Sequence, residues 1–246
     1  MNNIEHAIEE RIVKYKTEYK FEVKDRKVTI DELRQSIEHT LLKPIATVEE
    51  ISKLCDEAIK YGFYGVCVNP SFVKHAVDRL SGSKVKVVSV VGFPLGATTQ
   101  FIKARETAEL VQLGADEIDM VIHVGMLKSK EWTYVYEDIR SVVEAAQSKP
   151  VKVIIETCYL SDEEKIAACV LSELAGAQFV KTSTGFGTAG ATTQDVHLLK
   201  WCSDKLLVKA SGGIKGFSQA VELIKAGANR IGTSSSIKIL SEGVEG

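Results

Sequence analysis

Two lysines and one aspartate lie in segments that otherwise have the composition of buried strands. Lys181 is in FVKTSTGF, Lys209 in LLVKASGGIKG and Asp119 in DEIDMVI. Strands of a parallel sheet are covered on both faces and are mostly apolar, and an unpaired ammonium there costs several kcal/mol. Lys181 should therefore have a buried partner or lose its proton, and a free amine is a nucleophile for carbonyl carbon. From this segment alone, the alternative is a strand lysine whose ammonium reaches solvent.

The three charges lie at or near the carboxyl ends of their strands. Side chains alternate along a strand, so Asp119 shares its face with Glu117. One buried charge would not by itself indicate a functional site. Two cations and an anion in equivalent places indicate a site.

The elements that would position these residues alternate regularly from residue 36 onward. Glycines are expected to end helices at Gly62, Gly114, Gly176 and Gly227. Eight strands with intervening helices predict a (β/α)8 TIM barrel, with an open doubly wound sheet as the alternative. The apolar runs that predict the strands are residues 37–42, 65–69, 85–92, 117–122, 151–156, 178–183, 206–210 and 230–233. Helix starts are predicted at capping boxes, namely Thr29/Glu32, Thr47/Glu50 and Ser161/Glu164.

Residues 1–35 differ from this pattern, which leaves 36–246 as the barrel domain. An amphipathic stripe of Ile4, Ile8, Ile12 and Tyr15 predicts a helix. We interpret the segment as an N-terminal helical arm packed outside the barrel. A partly frayed tail is the alternative.

Glycine-rich turns follow the seventh and eighth strands, at residues 211–215 and 232–235. Phosphate sites recur in these two loops of barrels, and glycines let backbone N–H groups approach an anion. We predict that Lys215, Ser234 and Ser235 complete a phosphate site. Ordinary turn chemistry, which glycine also serves, is the alternative.

Composition excludes several classes of function. The 246 residues carry a net charge of −2 without a basic stripe, so no nucleic-acid partner is expected. No run of about 18 apolar residues is present, and the N-terminus lacks the apolar segment of a signal peptide. The five cysteines form no CxxC pair, which favours a reducing, cytoplasmic location. Without paired histidines we expect no metal, and we expect no cofactor. No membrane partner is expected either, and we expect a homo-oligomer, a dimer or a tetramer.

The chain resembles the deoxyribose-phosphate aldolase family of class I, Schiff-base aldolases. The resemblance covers residues 36–236, and the combination of FVKTSTGF with KASGG is its most specific part. The matching segments are EHTLLKP at 38–44, GVCVNP at 65–70, VVGFPLGA at 90–97, GADEIDMV at 114–121, VKVIIET at 151–157, FVKTSTGF at 179–186, VKASGGI at 208–214 and RIGTSS at 230–235.

The resemblance implies roles for particular residues. Lys181 would form the Schiff base, Lys209 would perturb it, and Asp119 would take part in the proton relay. The residues implied around the substrate phosphate are Gly185, Gly212, Gly213, Ser234 and Ser235. Cys67, Thr184 and Glu38 are expected near the substrate. The implied activity is reversible cleavage of 2-deoxy-D-ribose 5-phosphate to acetaldehyde and D-glyceraldehyde 3-phosphate.

The chain departs from the family pattern at two places. Many members carry aspartate where this chain has Glu38, so the role of Glu38 is left open. Some members use a tyrosine in a C-terminal tail, whereas KILSEGVEG at residues 238–246 contains none.

Three other functions remain open at this point. A different Schiff-base aldolase or a transaldolase-like enzyme would differ in its donor. A phosphosugar isomerase or epimerase would not be trapped by borohydride. A sugar-phosphate sensor would bind without turnover, although binding alone does not require two buried lysines.

Overall fold

Eight parallel strands form a closed barrel in the computed structural model, which describes residues 2–23 and 25–245. Each strand pairs with the next, and β8 pairs with β1. The strands are β1 (Ile37–Leu41), β2 (Gly65–Val68), β3 (Lys86–Val91), β4 (Glu117–Val121), β5 (Val151–Ile154), β6 (Phe179–Lys181), β7 (Leu207–Ser211) and β8 (Arg230–Thr233). This closure confirms the predicted TIM barrel and removes the open-sheet alternative.

Two helices precede β1, the others follow the strands, and all of them pack around the barrel. They are α1 (Asn2–Glu18), α2 (Ile30–Ser36), α3 (Val48–Tyr61), α4 (Val73–Arg79), α5 (Gln100–Gln112), α6 (Val124–Lys128), α7 (Trp132–Ala145), α8 (Asp162–Leu174), α9 (Thr193–Cys202), α10 (Phe217–Lys225) and α11 (Ser236–Glu245). Short 3₁₀ turns at Pro70–Phe72 and Thr157–Tyr159 follow β2 and β5. In the ranges 2–23 and 25–245, no helix combines the length and apolar character needed to cross a bilayer.

The predicted helix boundaries depend on local chemistry and are largely confirmed. Both capping boxes, at Thr47/Glu50 and Ser161/Glu164, are complete. At α2 only half of the box forms, because the Glu32 carboxylate accepts two hydrogen bonds from Arg26 instead. The four predicted glycines have left-handed backbones, with φ of 66° at Gly62, 98° at Gly114, 87° at Gly176 and 118° at Gly227.

Helix α1 lies against α8 on the outside of the barrel. Ile8 is buried, and Ile4, Ile12 and Tyr15 pack against the same core, as the stripe predicts. The Tyr15 hydroxyl also donates to Asp162 Oδ2 at 2.8 Å. The domain division at residues 35 and 36 stays a prediction, and its residues 1, 24 and 246 lie outside the described ranges.

Among the residues that the structure describes, the apolar core has two parts. The larger part fills the space between strands and helices. A small cluster of Leu42, Cys67, Val88 and Val90, with Phe93 against it, is separate from this core. Buried charged side chains also project from the strands.

Candidate active site

Strand pairing places the predicted lysines side by side. Lys181 on β6 is directly opposite Lys209 on β7, and Asp119 on β4 is opposite Lys152 on β5. Opposed residues of neighbouring parallel strands point to the same face of the sheet. The four side chains therefore meet in one place.

Asp119 is the centre of this group. Its Oδ2 accepts hydrogen bonds from Lys181 Nζ at 2.8 Å and Lys209 Nζ at 2.6 Å. Its Oδ1 accepts from Lys152 Nζ at 3.0 Å. Burial alone would raise the pKa of Asp119, but the ammonium groups of Lys152, Lys181 and Lys209 outweigh burial and hold it well below its usual value. Asp119 is therefore ionised at neutral pH.

Two further carboxylates complete what we call the charged cluster: Glu38, Glu117, Asp119, Lys152, Lys181 and Lys209. Lys209 Nζ donates to Glu38 Oε2, and Lys152 Nζ lies 3.6 Å from Glu38 Oε1 and 2.5 Å from Glu117 Oε2. None of the six residues is more than 4% exposed. Three carboxylates face three ammonium groups, so the buried charges balance.

The cluster keeps two of its lysines protonated. Burial alone would lower the pKa of Lys209, but the carboxylates of Asp119 and Glu38 outweigh it and raise that pKa. Burial would also lower the pKa of Lys152, but the carboxylates of Asp119 and Glu38 again outweigh burial and raise that pKa. Neither lysine is suited to act as a free amine at neutral pH.

Sequence reasoning missed Lys152 and left Glu38 without a role. Lys152 stands in VKVIIET, an apolar strand with one lysine, which is the signal that singled out Lys181 and Lys209. The structure surrounds the Lys152 ammonium with the carboxylates of Glu117, Glu38 and Asp119.

Cys67 lies beside the cluster. Its Sγ is within 4.8 Å of a carboxylate oxygen of Glu38 and of Asp119, and it is not in a disulfide. Burial raises the pKa of Cys67 to about 11, so it is a neutral thiol rather than a thiolate at neutral pH. Both of these carboxylates also accept hydrogen bonds from Lys209.

A cavity of about 350 Å³ opens next to the cluster. In the described part of the chain, Lys181 is the one cluster residue on its wall. Predicted residues that also line it are Thr184, Gly185, Gly212, Gly213, Lys215 and Ser234. Asp119, Glu38, Lys209 and Cys67 lie behind Lys181 rather than on the wall.

The glycine-rich loops after β7 and β8 form one side of the cavity. Gly212 and Gly213 have φ of 89° and 73°, which side chains rarely adopt. A Cβ at Gly212 would also lie 3.1 Å from the Cβ of Ser183. Ser235 does not line the cavity, and its backbone N–H donates to Thr233 Oγ1 at 2.9 Å. Its part in a phosphate site stays a prediction.

Glu156 fastens the loop after β6. This buried residue has a left-handed backbone, with φ of 55°. Its carboxylate accepts the backbone N–H of Thr184 at 3.2 Å and also the Thr184 hydroxyl. The next residues, Gly185 and Phe186, line the cavity, and Phe186 packs edge-on against Phe93 with ring centroids 5.4 Å apart. Strained backbone of this kind is typical of functional sites.

The arrangement can support nucleophilic attack on a carbonyl. One buried lysine, Lys181, faces a cavity that glycine-rich loops also line, and a carboxylate lies within hydrogen-bonding distance behind it. A second ammonium donates to that same carboxylate. The fold and the site together point to a barrel enzyme of the aldolase class. A family model described as DeoC/LacD family aldolase matches residues 25–242, and the chain belongs to this family.

Relatives at high identity carry one name. The chain is 62% identical over 243 residues to deoxyribose-phosphate aldolase of Thermotoga petrophila, covering 98% of each chain. It is 57% identical over 214 residues to deoxyribose-phosphate aldolase of Thermococcus kodakarensis, covering 85% of this chain and 96% of the other. The tetrameric deoxyribose-phosphate aldolase structure from Aeropyrum pernix superposes with a TM-score of 0.81 at 36% identity, covering 87% of this chain and 91% of that one.

Proposed function

We propose that this enzyme reversibly cleaves 2-deoxy-D-ribose 5-phosphate to D-glyceraldehyde 3-phosphate and acetaldehyde through a Schiff base on Lys181. One observation carries the proposal: Lys181 belongs both to the charged cluster and to the cavity wall. The names of the near relatives supply the substrate. The activity is tested by measuring the release of D-glyceraldehyde 3-phosphate from the deoxy sugar with a coupled dehydrogenase assay. Binding of the sugar without release of product would point to a sensor.

The reaction begins with attack by the free amine of Lys181 on the C1 aldehyde of the open-chain sugar. Loss of water from the carbinolamine gives an iminium. Removal of the C3 hydroxyl proton then breaks the C2–C3 bond and leaves the electron pair as an enamine, while D-glyceraldehyde 3-phosphate departs. Protonation of the enamine and hydrolysis release acetaldehyde and restore the lysine. The iminium is the electron sink, so the chemistry needs no cofactor.

Asp119 and Lys209 move the protons in this scheme, together with water. Asp119 Oδ2 lies within hydrogen-bonding distance of both amines, so it can accept the proton that Lys181 must lose. Lys209 is a cation held between Asp119 and Glu38. As an ammonium beside the Asp119 carboxylate, it can donate protons during carbinolamine dehydration and enamine protonation.

Replacement of Lys209 by leucine should lower kcat/KM at neutral pH by about 10²-fold or more. The variant loses a proton donor, and the buried carboxylates of Glu38 and Asp119 each lose an ammonium partner. Measurement of kcat/KM on the phosphorylated sugar checks this result, and full activity would show that Lys209 takes no part in the reaction.

The phosphate of the substrate is assigned to the loops after β7 and β8. Lys215 and Ser234 are exposed on the cavity wall, and the Gly212–Gly213 backbone bends beside them. Binding energy realised there can orient the reacting end of the sugar, so substrates without phosphate should lose turnover as well as affinity.

A Ser234→Glu variant should lose activity on the phosphorylated sugar far more than on 2-deoxyribose. The new carboxylate places a like charge in the anion site, and a loss of roughly 10²-fold in kcat/KM is expected from a repulsion of about 3 kcal/mol. Ser241→Glu is the matched control, because Ser241 is exposed on α11 and not on the cavity wall. Equal losses on both substrates would mean that these loops are only turns.

Assembly and location stay predictions. We propose a homo-oligomer; the solved relative from Aeropyrum pernix is described as tetrameric. The expected cytoplasmic location rests on the cysteine pattern.

A further inference from the structure

The charged cluster continues away from the cavity towards the amino-terminal ends of the strands. Tyr64, the residue before β2, donates its hydroxyl hydrogen bond to Glu117 Oε1 at the start of β4. The guanidinium carbon of Arg230, the first residue of β8, lies 3.6 Å from the centroid of the Tyr64 ring. We call Tyr64, Glu117, Lys152 and Asp119 the axial chain.

Each link of the axial chain constrains the next. Glu117 Oε2 lies 2.5 Å from Lys152 Nζ, and Lys152 Nζ donates to Asp119 Oδ1 at 3.0 Å. Because Lys152 occupies Oδ1, the other oxygen of Asp119 is left for Lys181 and Lys209. The orientation of the Asp119 carboxylate thus depends on where Lys152 is held.

The protonation states of the axial chain favour holding its side chains in position over passing protons along them. Burial alone would raise the pKa of Glu117, but Lys152 and then the Tyr64 hydrogen bond outweigh it and lower that pKa. The pKa of Tyr64 is raised, first by burial and then by Glu117. At neutral pH the axial chain therefore runs from a neutral hydroxyl donor (Tyr64) through a carboxylate (Glu117) and an ammonium (Lys152) to a second carboxylate (Asp119). The charged groups that face Glu117 are Lys152 from β5 and Asp119 from β4, with Arg230 from β8 against Tyr64.

We propose that Tyr64 and Glu117 are positioning residues for catalysis, acting from the opposite end of the barrel through Lys152 on Asp119. The inference rests on the proposed Schiff-base function. Neither residue lines the cavity, so neither touches substrate. Their effect is on the orientation and charge of the group that exchanges protons with Lys181.

Tyr64→Phe tests the proposal, because it removes the hydroxyl and keeps the ring beside Arg230. Without this hydrogen bond the pKa of Glu117 rises. The carboxylate that holds Lys152 is therefore neutralised at a higher pH than in the wild type. The acid limb of the kcat profile should move up by about one pH unit. Glu117→Gln removes the negative charge beside Lys152 at every pH, and kcat should fall roughly tenfold with a smaller change in KM.

Tyr61→Phe is the matched control. Tyr61 is half-buried like Tyr64, but it ends α3 and stacks on Phe63 at 5.8 Å between ring centroids. Its pH profile should coincide with that of the wild type. Coincident profiles for Tyr64→Phe and Tyr61→Phe would overturn the proposal. A lower melting temperature of Tyr64→Phe with an unaltered pH profile would assign Tyr64 to packing alone and would overturn it equally.

Borohydride trapping separates this proposal from the function on which it rests. Wild type and Tyr64→Phe should both form the reduced acetaldehyde adduct, since Lys181 is intact in both. If the wild type is trapped while the Tyr64→Phe profile is unaltered, the positioning role fails and the Schiff-base function stands. If the wild type forms no adduct, the proposed function itself fails.

Discussion

Replacement of Lys181 by arginine is expected to abolish turnover. A guanidinium stays protonated at any workable pH and cannot form the iminium. The charge that faces Asp119 is kept, so the charged cluster remains neutral and the fold should persist. We expect kcat to fall at least about a thousandfold, as when other catalytic nucleophiles are removed.

The matched control for this variant is Lys205→Arg. The Lys205 side chain is 81% exposed, and its Nζ lies 3.0 Å from Glu173 Oε1 on the outer surface. Exchange of one cation for another there should leave kcat unchanged. Retention of more than a few per cent of wild-type turnover by Lys181→Arg would remove the nucleophilic role from Lys181.

Asp119→Asn is expected to lower both activity and stability. Loss of a group that moves protons should reduce kcat by about 10²–10⁴-fold. The substitution also leaves three buried ammonium groups facing two carboxylates, and removal of one partner from a buried pair costs about 3–5 kcal/mol of the free energy of unfolding. Urea unfolding at neutral pH measures the second effect.

The stability effect of Asp119→Asn should depend on pH. The native pKa of Asp119 lies below its unfolded value of about 3.9, so its ionised form stabilises the fold above that pH and the contribution is lost as the pH falls through the native pKa. The stability difference between variant and wild type should therefore narrow below about pH 4. Asp78→Asn, which breaks an exposed pair with Lys74, should change stability by less than about 1 kcal/mol. Equal losses from both substitutions would contradict the buried role of Asp119.

Much of the fold could be predicted because its signals are local. Each strand of a parallel barrel is an apolar run, and left-handed glycines such as Gly62 and Gly114 mark where helices end. The proximity of Lys181 and Lys209 followed from two similar segments in consecutive strands, which the barrel places in register.

The missing parts of the site depend on contacts between distant strands. Nothing near Lys152 in the sequence shows that Glu38, more than a hundred residues earlier, shares its charge. The axial chain likewise joins Tyr64 to Glu117, which are 53 residues apart. The left-handed conformation of Glu156 had no signal, because glycine rather than glutamate is the usual marker of positive φ.

Mapping the borohydride-reduced adduct formed with acetaldehyde tests the central claim most directly. The protein is incubated with acetaldehyde, reduced, digested and analysed by peptide mass spectrometry. The account predicts a single ethyl group on Lys181, because this lysine alone among those of the charged cluster lines the cavity in the described chain. An ethyl group on Lys209 or Lys152 instead, or no modified lysine at all, would contradict it.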